Sequence, residues 1–125
     1  MTRSVVGLDH VQVAAPPGCE EAARRFYGGL LGLEERAKPP MLAARGGVWF
    51  RVGDCELHVG VTEGFVAATK AHPALRISSE RELERLVDDL RGAGVAGTWA
   101  DPDEIPGAKR FYVRDPWGNR VELIA

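Results

Sequence analysis

Near the start of the chain apolar and polar side chains alternate. Val11 and Val13 fall on one face and His10 and Gln12 on the other, the period-2 pattern of a strand whose two faces meet different surroundings. It predicts a first strand over 5–14. The period then changes. In "PPGCEEAARRFYGGLLGL", Ala22, Ala23, Phe26 and Leu30 recur at helical spacing, Glu20 and Glu21 stand in the first turn, and Gly28, Gly29 and Gly32 gather at the end. This predicts a helix of roughly three turns. "VWFRVGDCELHVGV" returns to period 2 as two strands about Gly53 and Asp54, a turn signal between alternating runs. In the second of these strands Cys55, Leu57, Val59 and Val61 share one face, and Glu56, His58 and Gly60 the other.

The second half repeats the order. "HPALRIS" alternates Leu75 and Ile77 against His72, Ala74 and Arg76. Ser79 then precedes a helix with Leu83, Leu86, Val87 and Leu90 as its apolar stripe,. "GTWADPD", "KRFYVRD" and "NRVELIA" supply further strands, the last two joined by the turn "DPWGN",. His10 and His72 stand 62 residues apart, about half the chain. The pattern is therefore an internal duplication, each half reading β, α and then about three β. A helix covers one face of each half-sheet, and the polar strand faces point at a concavity.

Composition narrows the function classes. A chain of 125 residues with 45% apolar and 27% charged content fits one domain spanning 1–125, long enough to bury a core of its own. A net charge of −2 with interspersed signs offers no basic stripe, which argues against nucleic acid. Cys19 and Cys55 form no CxxC pair, so no oxidising compartment is required. No apolar run approaches the ~20 residues of a membrane span, and no signal segment opens the chain. The expectation is a cytoplasmic protein that does not engage a membrane.

The chemistry lies on the polar faces. All three histidines, His10, His58 and His72, fall on the face away from the helices, together with Glu122, which stands between Val121 and Leu123. Imidazole and carboxylate are ligands for divalent zinc, nickel, iron and manganese, and a curved sheet can converge side chains distant in sequence. There is no HExxH spacing. A lone histidine on such a face is most often a partly solvated polar residue, and the four together open the metal reading beside that plainer one.

"LDHVQVA", "AARRFYGGLLGLEE", "AHPALRI" and above all "RFYVRDPWGNRVELI" resemble the vicinal oxygen chelate superfamily. That superfamily includes glyoxalase I, fosfomycin resistance thiol transferases, bleomycin resistance proteins and extradiol dioxygenases. The resemblance covers nearly the whole chain. It implies an α+β fold of two βαβββ modules, about 4–62 and 71–125, forming a curved eight-stranded mixed sheet with the helices outside and a divalent metal enclosed. It also implies His10 and His72 as first-strand ligands and Glu122 as the last-strand carboxylate. His58 falls where glyoxalase I has a carboxylate, a departure from the usual glyoxalase set, and Glu56 on the same face is the alternative.

Tyr112 resembles the substrate-contacting tyrosine of the fosfomycin enzymes, with rim packing as its plainer role. Arg110 and Arg76 could grip a carboxylate or phosphonate, Gln12 shares the His10 face and can support the ligands, and Trp49 is a substrate-facing candidate that could equally be packing. Glu122 or Glu56 would serve as a base near the metal. Four protein ligands fill a tetrahedral zinc ion but leave two positions on a six-coordinate one, which favours Ni²⁺, Mn²⁺, Fe²⁺ or Co²⁺ over Zn²⁺. The expected activity is metal-assisted chemistry on a small substrate that chelates through neighbouring oxygens, as a lyase, transferase or dioxygenase. The alternative is a metal-free drug- or metabolite-sequestering protein of the bleomycin resistance type. The resemblance further implies a homodimer with sites shared between subunits. The connectors 62–70 and 101–109 are the expected pocket walls.

Overall fold

The computed structural model describes residues 3–125. Its first module comprises β1 (His10–Ala15), a short α1 (Glu20–Ala23), β2 (Glu34–Arg36), the single turn α2 (Pro40–Ala43), β3 (Val48–Val52) and β4 (Cys55–Val61). The second comprises β5 (Ala74–Arg76), α3 (Glu80–Gly92), β6 (Gly97–Trp99), β7 (Arg110–Arg114) and β8 (Arg120–Ile124). The eight strands divide into two four-stranded sheets of matching topology, β1-β4-β3-β2 and β5-β8-β7-β6. In each, the first strand runs parallel to the last while the remaining pairs are antiparallel. The duplication expected from the pattern is thus present strand for strand.

β1 begins five residues later than the alternation predicts. Its one sheet neighbour is β4, which starts at Cys55, and the last upstream contact is Glu56 N donating to Asp9 O at 3.1 Å. Among the described residues those before Asp9 pair with no strand, and Val5, Val6 and Leu8 stand exposed.

The predicted first helix changes character midway. After Ala23 it continues as a π-helix over Arg24–Leu30, so that Leu31 N reaches back five residues to Phe26 O at 2.9 Å. Within this wider turn two consecutive aromatics, Phe26 and Tyr27, are both buried,. By contrast α3 is regular. Ser79 Oγ accepts from Glu82 N at 3.1 Å as its N-cap, and Leu83, Val87 and Leu90 are buried, as the stripe predicts.

One continuous core lies between the sheets and the helices, with Phe50, Leu57 and Val59 from the first module and Leu75, Phe111 and Leu123 from the second. A buried polar knot joins the modules across it. Asp115 Oδ2 accepts from Tyr27 O–H and Asn119 Nδ2, each at 2.8 Å, while Oδ1 accepts from Trp117 N and Asn119 N. Asn119 Nδ2 also donates to Ala14 O at 2.8 Å. The "DPWGN" turn therefore fastens β1 and the π turn to the second sheet.

Candidate metal centre

The first sheet gathers its site residues by register. His10 lies opposite Glu56, and His58 lies opposite both Gln12 and Trp49, so all five share one face. The aromatic rings form a three-layer stack. His58 packs on Trp49 with centroids 3.9 Å apart and planes within 1°, and on its other side against His10 at 4.2 Å. Buried in that sandwich, His58 places Nε2 2.9 Å from Glu56 Oε1. Gln12 folds across Gly60, where a Cβ would come within 2.6 Å of its side-chain oxygen, so a side chain there would push the amide aside.

The second sheet is held by charge. Glu122, 7% exposed, lies opposite Ala74 on one side and Tyr112 on the other, and the small alanine leaves room beside the carboxylate. His72 sits two residues before β5 rather than within it, with Nδ1 2.7 Å from Lys70 O and Nε2 3.1 Å from Glu122 Oε1. Arg110 reaches Glu122 Oε2 at 3.8 Å, and donates to Tyr112 Oη and Glu104 Oε2, each at 2.6 Å. The His72 ring meets Tyr112 edge-on at 5.9 Å.

These contacts fix the orientation of the ring. A backbone carbonyl can only accept, so His72 donates from Nδ1 to Lys70 O, and its Nε2 faces the Glu122 carboxylate at 3.1 Å,. Those two atoms can share either a proton or a cation. His10 is prepared in the same way. Its Nδ1 lies 2.8 Å from Asp9 Oδ1, which leaves Nε2 free. His58 differs in that its Nε2 is engaged by Glu56.

The candidate ligands form two clusters, His10, His58 and Glu56 on the first sheet and His72 with Glu122 on the second. Among the described residues of one chain no group of three histidine, cysteine or acidic side chains is placed to hold a metal ion. Arg76 is not brought to Glu122 but lines a cleft of about 360 Å³ with Leu31, Leu33 and Val52. Arg110 is committed to Glu104, Tyr112 and Glu122 instead of standing free for an anion. Of the connectors, 101–109 supplies Glu104 to Arg110 and 62–70 supplies the Lys70 carbonyl to His72. Burial pushes the Cys19 thiol up to about 11, with Glu20 adding to the shift, so it remains a neutral packing group.

Three contributors escape a reading of the sequence alone. Asp9 and Glu104 are visible only as acids in connectors, although a carboxylate directly beside a histidine hints at the Asp9 contact. Asp115 is foreshadowed by "DPWGN", where an aspartate opening a turn commonly accepts from the backbone two residues on.

Two mixed modules of equal topology, with histidines and carboxylates on their uncovered faces, define a class of small paired-module α+β proteins. Within that class the chain belongs to the Glyoxalase/Bleomycin resistance protein/Dioxygenase superfamily, whose family model matches residues 7–123. Among solved structures it is similar to a glyoxalase family protein from Bacillus anthracis, at 44% identity over 99% of this chain and 98% of that one, with a TM-score of 0.91. It shares its fold with lactoylglutathione lyase from Agrobacterium tumefaciens (20% identity, 98% and 95% coverage, TM-score 0.74). A genomically encoded fosfomycin resistance protein from Listeria monocytogenes is also similar in fold (18%, 97% and 93%, 0.73). No curated protein matches the chain. Among the described residues no helix is long and apolar enough to cross a membrane.

Proposed function

We propose that the protein is a metal-dependent enzyme of the glyoxalase and fosfomycin resistance type, acting on a small substrate whose neighbouring oxygens chelate a divalent ion. The observation that carries this reading is the His72–Glu122 pair, an imidazole nitrogen and a carboxylate oxygen 3.1 Å apart with the ring oriented from behind by the Lys70 carbonyl,. His10, locked by Asp9, is its natural third ligand, and Glu56, opposite His10 and oriented by His58, is the fourth donor. Because His10 and Glu122 lie on different sheets, the reading includes a homodimer in which His72 and Glu122 of one subunit meet His10 of the partner subunit. Two features favour such pairing. β1 and β5 are sheet edges with unpaired backbone groups, and each sheet has an uncovered polar face.

A bound ion would supply Lewis-acid stabilisation of negative charge on a substrate oxygen. The chain's own residues do the rest. Arg110 and Tyr112 hold Glu122 in place, and His58 holds Glu56 through Oε1, which orients that carboxylate as the fourth donor,.

The test is metal stoichiometry on protein loaded after chelator treatment. Stoichiometric binding of Ni²⁺, Mn²⁺, Fe²⁺, Co²⁺ or Zn²⁺, lost in His10→Ala, His72→Ala and Glu122→Ala, supports the reading. Mixing H10A with E122A chains tests the sharing: heterodimers regain one intact site each, about a quarter of wild-type capacity for random assortment in a two-fold dimer. A protein that binds none of these ions, yet is stabilised by small ligands regardless of chelator, would be a sequestering protein instead.

A further inference from the structure

A cavity of about 1090 Å³ lies where the π turn of the first module meets β6 and β7 of the second. Phe26, Leu30, Val95 and Val113 give it an apolar lining, and Arg114 and Arg120 stand at its polar end. These two arginines are direct cross-strand partners. Like charges set opposite each other on neighbouring strands repel, and the contacts these two keep are to uncharged groups. Arg114 donates Nη1 to Gly118 O at 3.0 Å, and Arg120 lies over the Tyr112 ring at 4.0 Å. Among the described residues neither makes an ion pair. The acid in the lining, Asp115, has both oxygens occupied by Tyr27, Trp117 and Asn119. The third arginine of the rim, Arg25, already faces Glu21 at 3.4 Å.

We infer that this groove binds a small amphiphilic acid, its carboxylate or phosphate bridging Arg114 and Arg120 and its apolar body lying along Phe26, Leu30 and Val95. The anion neutralises the repulsion between them, and paired guanidinium groups match the geometry of such headgroups. Binding itself does not depend on the metal reading. The further step does rest on it. Arg120 stands two residues before Glu122 on the same face of β8, with Tyr112 in contact with both neighbourhoods, so the acid held here is the substrate class of that centre.

Calorimetric titration with octanoate, octyl phosphate, octanol and inorganic phosphate tests this on the full-length protein. Octanoate or octyl phosphate binds saturably, and Arg114→Gln or Arg120→Gln weakens that binding about tenfold or more, as expected for loss of a charge-assisted contact. Arg25→Gln leaves it within about twofold, since that charge is already paired. Octanol binding as tightly as octanoate, acids indifferent to both arginine changes, or no saturable binding of either amphiphile overturns the inference. Inorganic phosphate binding as tightly as octyl phosphate overturns the apolar half of it. Glu122→Gln separates the two proposals: octanoate still binding while the metal is lost supports the groove and leaves it standing without the centre.

Discussion

The two histidine-bearing faces occupy equivalent strands of equivalent sheets, yet they hold their histidines by different forces. On the first, His58 is clamped between two rings and its carboxylate partner Glu56 lies toward the rim. On the second, Glu122 is the buried member and His72 the half-buried one, fixed by a carbonyl, an arginine and a tyrosine. One topology thus supplies a rigid aromatic wall in one copy and a charged, adjustable pocket in the other. Duplication fixes where side chains emerge from a sheet, and each copy remains free to choose what they meet there.

The sharpest way to break the comparison is to cut the joint between the halves. Asp115→Ala strands four buried or half-buried donors and is expected to lower unfolding free energy by about 3–5 kcal/mol, read by urea titration. Next comes the asymmetry of the carboxylates. Glu122→Ala is expected to abolish metal binding outright, whereas Glu56→Ala weakens it about 10–100-fold, the cost typical of a supporting group or a replaceable ligand; calorimetry with Ni²⁺ or Mn²⁺ ranks them. If the two were equal, the faces would contribute alike and the contrast would fall. Trp49→Ala, which removes one layer of the stack, is expected to cost about 1–2 kcal/mol and to shift the His58 ring proton resonances while leaving those of His72 in place.

The smallest effect concerns the first module alone. Glu20 accepts from Gly47 N at 2.8 Å, and this bond holds its carboxyl below the ordinary value of 4.5. A depressed carboxyl stabilises the folded state above its unfolded pKa, so this contribution is complete at neutral pH and disappears as pH falls through 4.5 and below,. Glu20→Gln is expected to cost under about 1 kcal/mol at pH 7 and progressively less as pH falls below 4.5,. Thermal melts of the two proteins should therefore converge on acidification.

Much of this arrangement is legible in sequence because strand parity and helix period are local. Val11 and Val13 against His10 and Gln12, and the stripe of α3, are read correctly by periodicity alone. Register is also recoverable once the turns are recognised, which places Glu56 and His58 on one face. Three things are not local. That 5–9 lies outside the strand depends on where β4 begins. The π turn holds two adjacent buried aromatics, and the helical period along the chain does not announce it,. The separation of His10 from Glu122 depends on how two sheets pack, and no spacing along one strand encodes it. Asp115 lies between these cases, since its turn is written in "DPWGN" but its partner Tyr27 is 88 residues away.

The π turn has a consequence for the tolerance of the chain to change in length. It amounts to one residue accommodated without a loop, and removing a single residue from 24–30 would restore ordinary α geometry. Side chains beyond the deletion would keep their phase, and only those within 24–30 would be re-aimed. The core would keep an aromatic, but the hydroxyl that reaches Asp115 would swing away from the second module. Most helices absorb a deletion by shortening at an end; here the turn is pinned from across the molecule, so a deletion that spares the fold of the helix still cuts the tie between the two halves.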